Sequence, residues 1–447
     1  MLSRFLPLLI IPILSLWTSA SNSAVIYATS CSQSHVQKAV DLAAPGDTVV
    51  VPNGDCTWST SVTIDKAITL KGKGIYSVNT SHADTGEWPL TISLSGNSGI
   101  VVQGASGQNI RVTGFHFTGS CPGGTSHGGA VYLPASNASN EWRIDNCRFS
   151  VNGNAVRSEG DFGVIDHIYS YNSGCSTASQ ICVADLRNGW YGDWAFTQPV
   201  GFGGSDFVFI EDSTFWRNCT GSSPATSATD AQAGGKFVFR NNYVRDAMVV
   251  WHGTESGAPE RGGYSFEIYN NEIYWHLPSD RYHCAIYQRG GTALIHHNAV
   301  TNYQWLVRTW VHRATTAWGR FGKCDGTHPW DGNTTPTGYP CLDQVGRGRA
   351  SSSNIDNAQP QDASKSHIWH NTTSNVGNSY DLACTPTHGD LLCHNNASYV
   401  REGRDYEYST DDAAAKPGYT PYRYPHPLVS GDSVPNPPSN LRILWGN

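Results

Sequence analysis

One pattern of apolar and polar positions recurs along the chain. Segments of the form apolar–x–apolar–polar–Asn–x–x–apolar appear as WRIDNCRF (142–149), VIDHIYS (164–170), VFIEDSTF (208–215), VFRNNYV (238–244), EIYNNEI (267–273), LIHHNAV (294–300) and HIWHNTT (367–373). Aligned on their polar position they place Asn146, His167, Asp212, Asn242, Asn271, Asn298 and Asn371 in one column, at separations of 21, 45, 30, 29, 27 and 73 residues. The alternation within each segment predicts a short strand, and the polar residue after it predicts a bend. A unit this short has nowhere to bury its apolar face by itself. Stacked copies bury a continuous core, each touching only its neighbours. The two long separations are then coils carrying large insertions, over 172–206 and 303–366. At each bend a short amide side chain meets backbone N–H and C=O groups that the stack leaves unpaired. Asn242, Asn271, Asn298 and Asn371 are therefore expected to form an internal ladder.

Upstream of the repeats, SHVQKAVDLAAPGDTVVVPNG (34–54) reads as a short amphipathic helix, a Pro-Gly-Asp turn and a strand, followed by SVTIDKAITLKGKG (61–74). With the repeats, these segments resemble the N-terminal cap and first coil of the pectate-lyase-like parallel β-helix superfamily. KPGYTPYRYPHPLV (416–429) resembles a closing segment seen in its members. The resemblance spans about 25–430 and implies an all-β, right-handed parallel β-helix, a single-stranded solenoid with a short N-terminal capping helix. One fold of this kind hosts many chemistries, so the activity must be argued from side chains.

Composition narrows the setting. The 447 residues carry a net charge of −7 with 15% charged residues and no basic run, which argues against a nucleic-acid partner. The first 24 residues have Arg4, an apolar stretch over 5–17 and small residues up to Ala20 and Ala24, the form of a cleaved secretory leader. Nothing later is apolar for long enough to span a bilayer. The 12 cysteines fit an oxidising compartment. Cys31/Cys56, Cys175/Cys182, Cys324/Cys341 and Cys384/Cys393 are near enough to close small loops, and there is no zinc-finger spacing. Sequons at Asn79, Asn137, Asn218, Asn333, Asn371 and Asn396 would carry glycans in a eukaryotic host. The Pro- and Ser-rich end, 431–447, reads as a linker or tail. A secreted or periplasmic monomer is expected.

By the same resemblance, one strand of each coil lines a substrate groove. Here those strands are NAVRSEG (154–160), MVVWHGT (248–254), AIYQRGG (285–291) and WLVRTWV (305–311), with another near ATDAQAGG (228–235). They align Arg157, His252, Arg289 and Arg308, with Asp230 nearby and Trp251, Tyr287 and Trp310 beside them. His296 and His297 are expected to be solvated. Arginine forks match carboxylates bidentately, and aromatic faces suit sugar rings, so an acidic polysaccharide is the expected partner. A lyase acting by β-elimination needs the uronate carboxylate neutralised and a base at C5. His252 or Arg289 is the candidate base, and Arg308 the candidate partner of the carboxylate. Calcium is the alternative neutraliser, with Asp230, Glu255 and Glu260 as candidate ligands. The Trp-His-Gly at 251–253 is similar to the Arg-His-Gly strand of the alginate lyase and chondroitinase B family, with Trp251 in place of the arginine and no Lys-Ser-Ser motif. A hydrolase would use paired carboxylates from the same acidic set, and a non-catalytic carbohydrate-binding or cell-surface protein could share the scaffold.

Overall fold

A computed structural model of the chain describes residues 23–103, 109–123, 126–135, 141–160, 162–172, 180–217, 227–254, 259–276, 283–328, 331, 340–377 and 383–429. The leader up to residue 22, the tail beyond 430, Glu255, Cys175, Asn137, Asn218 and Asn333 lie outside the described residues.

Described strands fall into three sheets of 12, 11 and 10 strands. Successive strands of the chain visit the three sheets in turn. The coil of Thr292–His296, Ala299–Thr301 and Trp305–Trp310 places one strand in each. Each strand pairs in parallel with its counterpart a coil earlier and a coil later, as Val249, Ile286, Val307 and Leu392 do in the eleven-stranded sheet. The hairpin of Cys384–Thr387 with Leu392–Asn395 is antiparallel. The expected parallel β-helix is therefore the fold. Its interior is a stack of like side chains. Val249, Ile286, Val307 and Leu392 are all almost fully buried, and Phe115, Phe117 and Phe149 stack at centroid distances of 5.5 and 5.6 Å. Each such side chain contributes roughly 1.5–3 kcal/mol by leaving water, and together they hold coils that could not fold singly.

The bend between the first and second strands is two residues long. Its first residue is left-handed in every repeat: Asn146, His167, Asp212, Asn241, Asn270, His297 and His370 have φ between 48° and 57°. Asn, Asp and His tolerate that region better than other non-glycine residues. The second residue points inward and forms the ladder. The Oδ1 of Asn371 accepts from Asn298 Nδ2 at 2.9 Å, Asn298 Oδ1 from Asn271 Nδ2 at 2.9 Å, and Asn271 Oδ1 from Asn242 Nδ2 at 3.2 Å. The expected ladder is present, with one correction of alignment. Asn146, His167 and Asp212 belong to the left-handed column, and the inward column continues through Ser213, Ile168 and Cys147. The Ser213 amide donates to Asn242 Oδ1 at 3.0 Å and Ser213 Oγ accepts from the Ile168 amide at 3.1 Å.

The expected capping helix spans Gln33–Leu42 and buries Val36, Ala39 and Val40 on the first coil. The Cys31–Cys56 disulfide and a bond from Trp58 Nε1 to the Cys31 carbonyl (2.9 Å) hold it there. Cys324–Cys341 and Cys384–Cys393 also pair as expected. Cys182 does not pair: it is a buried thiol that accepts from Arg157 Nη1 at 3.2 Å. No described helix is long and apolar enough to cross a membrane.

Residues 416–429 run back along the outside of the twelve-stranded sheet. Tyr419 donates to Glu267, and Arg240 donates to the carbonyls of Tyr422 (2.7 Å) and Arg423 (2.9 Å). The His426 amide donates to Glu211 (2.9 Å), and Arg143 to the Leu428 carbonyl (3.3 Å). This strap covers a row of charges that the sheet's outer face would otherwise expose.

Both insertions are shorter than expected, because each range contains a strand. Ile181–Ala184 and Trp305–Trp310 join the eleven-stranded sheet, so the excursions are 185–207 and 311–365. They pack on one another. Phe196 from the first meets Phe321, Leu342 and Ala350 from the second in a small apolar cluster, and Arg320 forms a bidentate pair with Asp193 at 2.7 and 2.9 Å.

Candidate active site

All five expected groove strands lie in the eleven-stranded sheet. Register then decides which side chains face out. Arg157 pairs with Cys182 and Cys182 with Asp230; further along, Tyr287 pairs with Arg308. Strand alternation puts His252, Arg289 and Trp310 on the same outer face, two positions after Val250, Tyr287 and Arg308. Trp251 has the opposite parity. It is fully buried, stacks on Phe266 at 4.2 Å and donates from Nε1 to the Gly290 carbonyl at 2.8 Å. Its assignment to substrate binding is corrected: it is a core residue, because neighbouring residues of a strand cannot share a face.

At the centre of the outer face, His252 Nδ1 lies 2.8 Å from Asp230 Oδ1, with side-chain exposures of 20% and 12%. An ionised carboxylate only accepts, so the hydrogen between the two is on Nδ1, and in the neutral ring the lone pair is then on Nε2. The pair thus holds an imidazole in one tautomer, at a partly exposed position, with its basic nitrogen uncommitted to Asp230. Strand Met248–Trp251 delivers His252, and Ser227–Ala231, one coil earlier, delivers Asp230.

Arg289 stands one coil beyond His252. Its Nε donates to the Trp251 carbonyl at 3.3 Å and its guanidinium lies 5.1 Å from the Tyr287 ring. It borders a small depression whose wall includes Thr254, His312, Asp343 and Gln344, so the long insertion forms one side of it. The other charges there are internally matched: Arg313 pairs with Asp331 at 2.6 Å and Asp343 with Arg261 at 2.5 Å, all four buried. The insertion is fixed in place by these pairs and by Cys324–Cys341.

Two expected arginines are not at the surface. Arg308 is buried, donates to Asn395 Oδ1 at 2.7 Å, and packs among the rings of Tyr287, Trp305 and Trp310 at 5.4, 5.5 and 5.1 Å. Arg157 is buried against Glu159 Oε1 at 2.5 Å. In the folded chain both brace the outer face, and neither presents its guanidinium to solvent. Trp310 is partly exposed and stacks on His312 at 3.8 Å. His296 is also corrected: burial between Tyr269 (4.8 Å) and Trp369 (4.2 Å) replaces the expected solvation.

A second constellation on this face was missed. Glu159 accepts from Tyr132 Oη at 2.8 Å and lies 2.6 Å from His127 Nδ1, and the His127 ring meets Trp190, which is 71% exposed, edge-on at 5.7 Å. Glu159 stands two residues after Arg157, so strand alternation alone would have found it.

Calcium would need several oxygen ligands. Glu260 and Asp230 are the described members of the expected set, and Asp230 is engaged by His252. The clusters of three metal-ligating side chains among the described residues lie elsewhere.

No family model matches the chain, and no curated protein matches it. Solved structures do resemble it. They include an alginate lyase from Paenibacillus sp. str. FPU-7, 12% identical, covering 79% of this chain and 97% of its own, with a TM-score of 0.34. The catalytic domain of a GH87 α-1,3-glucanase in complex with nigerose is 12% identical over 87% of this chain and 68% of its own, with a TM-score of 0.39. The PL6 polysaccharide lyase Pedsa3628 from Pseudopedobacter saltans is 11% identical over 83% and 82%, with a TM-score of 0.33. Similarity at these levels carries no argument about activity; the fold rests on the strand order and the ladder, and the chemistry on the residues above.

Proposed function

We propose that this chain is a secreted polysaccharide-degrading enzyme that cleaves a uronate-containing glycan by β-elimination. The observation that carries the reading is the Asp230–His252 pair on the outer face, with Arg289 one coil away. His252 Nε2 takes the C5 proton. The C5–H electron pair becomes the C4–C5 double bond, the C4–O bond breaks, and the leaving oxygen collects a proton from the imidazolium or from water. Asp230 stabilises the imidazolium formed in between. Arg289 lies against the C6 carboxylate, which lets charge build at C5. Trp310, partly exposed, offers aromatic surface to the sugars; Tyr287, expected beside it, is instead buried with Arg289 and Arg308 packed on its ring, and braces them.

Hydrolysis finds less support. It needs two carboxylates working across one bond, and Asp230 is committed to its histidine. Against a panel of uronate polymers, the purified chain is expected to generate the ultraviolet absorbance of an unsaturated uronate, and to do so equally in EDTA. Loss of the signal in EDTA would replace Arg289 with calcium as neutraliser. New reducing ends without absorbance would replace the lyase with a hydrolase. Neither signal on a broad panel would leave a binding protein.

A further inference from the structure

We infer that His297, His370 and Asp412 form a binding site for a borderline divalent transition-metal ion, with zinc the best chemical match, at the corner where the chain returns from its longest excursion. One nitrogen from each imidazole and one carboxylate oxygen lie within 4.8 Å of one another. The backbone sets this up. His297 and His370 occupy the same left-handed position of successive coils, with φ of 53° and 49°, so both side chains leave the corner in the same direction. Directly after them, Asn298 and Asn371 are bonded in the ladder at 2.9 Å, which fixes the spacing of the two coils. The imidazole rings stack at 4.4 Å and 14°.

Asp412 arrives from a separate element, the 3-10 turn Asp412–Ala414. Asp411 caps that turn by accepting from the Ala413 amide at 2.9 Å, and His367 Nδ1 anchors it at 2.9 Å from the Ala414 carbonyl. Asp412 Oδ1 then lies 3.0 Å from His370 Nδ1. Two imidazoles and a carboxylate are a zinc donor set; calcium and magnesium prefer oxygen throughout. Side-chain exposures of 41% for His370 and 70% for Asp412 leave the corner open to solvent, so water would complete the coordination. Binding would require the two rings to splay from their stack by a fraction of their present spacing. Among the described residues the other cluster of this kind, Cys324, Asp331 and Cys341, is discounted because its two cysteines form a disulfide.

A metal here would clip together two coils whose corner residues are 73 positions apart in sequence. It would hold the base of the 311–365 excursion closed without touching the outer face where His252 stands. The test uses the full chain, tag-free and stripped of metal. Titration with zinc chloride by calorimetry is expected to show one saturable site and a rise in melting temperature, with no response to calcium chloride. His370→Asn, which keeps a residue suited to the left-handed bend, and Asp412→Asn, at an exposed position, are each expected to weaken zinc by about tenfold or more. With copper(II) as the probe, the nitrogen hyperfine pattern should fall from two coupled nitrogens to one in His370→Asn. Absence of saturable zinc binding, equal response to calcium, or affinity unchanged in both variants would each overturn the site. None of these readouts depends on catalytic activity.

Discussion

At the scale of the residue, one hydrogen bond decides whether His252 is a base or an ordinary surface histidine. Asp230 accepts the Nδ1 hydrogen and so fixes the tautomer. Asp230→Asn would offer an amide that can donate to Nδ1 and turn the hydrogen to Nε2. Activity is expected to fall by about 10²–10⁴-fold, because the wrong tautomer leaves the base without a lone pair at Nε2, while the substrate KM stays nearly constant. A variant with unchanged kcat would show that the pair is only structural. Residue-scale features were also where sequence reading was weakest. The segment around 251 made Trp251 and His252 look like one functional unit, yet strand alternation sends them to opposite faces. Arg157 and Arg308 sat at the expected positions, but their partners settle their role. Asn395 lies 87 residues from Arg308, so nothing local signals that the guanidinium is buried. Glu159, by contrast, was readable from its spacing to Arg157.

At the scale of the element, the coil is the unit that repeats and the bend is what aligns it. The ladder was legible because a buried amide at a bend has few other roles, and its period matched the strands. Its register was misread by one residue in the early coils, where a polar residue fills the left-handed position and Ser213, Ile168 or Cys147 takes the inward one. Asn271 shows what each rung contributes: its Nδ2 donates to the Phe239 and Tyr269 carbonyls and to Asn298, and its Oδ1 accepts from the Asn242 amide. Asn271→Ala strands several buried backbone groups at once, each costing about 1–3 kcal/mol when unsatisfied. The expected loss is about 3 kcal/mol by chemical denaturation. Asn371→Ala, at the half-buried end of the ladder, should lose less. Equal and small losses at both would deny the ladder its role. Asn371 also heads a sequon, but its amide donates to the Ile295 and Trp369 carbonyls, so a glycan on Nδ2 would be incompatible with this rung of the ladder.

At the scale of the whole molecule, the stack has buried histidines as well as apolar side chains. Burial lowers His296 to about 3 and His394 and His426 to about 4, against an ordinary value of 6.5. These rings are neutral in the fold and take up protons readily once unfolded. Their contribution to stability is therefore present above pH 6.5 and is lost as pH falls toward 4. Each buried ring can cost up to about 1.4 kcal/mol per pH unit across that window. Unfolding free energy is expected to drop steeply between pH 6.5 and 4.5, and His296→Phe, which keeps the stack between Tyr269 and Trp369, should make that drop shallower by about one proton. A flat profile through this range would show the rings to be accessible to water. The two excursions belong to this scale as well. Their sequences held no period to read, and only the fold brings Phe196, Phe321 and Leu342 together and seats 311–365 beside Arg289. The measurement that bears most directly on the whole account is the ultraviolet trace of His252→Ala beside the unmutated chain, on the uronate polymer the latter degrades fastest. The account predicts matched circular dichroism and a rate lower by about 10²–10⁴-fold, the usual contribution of a positioned base. A variant that folds and eliminates at the original rate would contradict it.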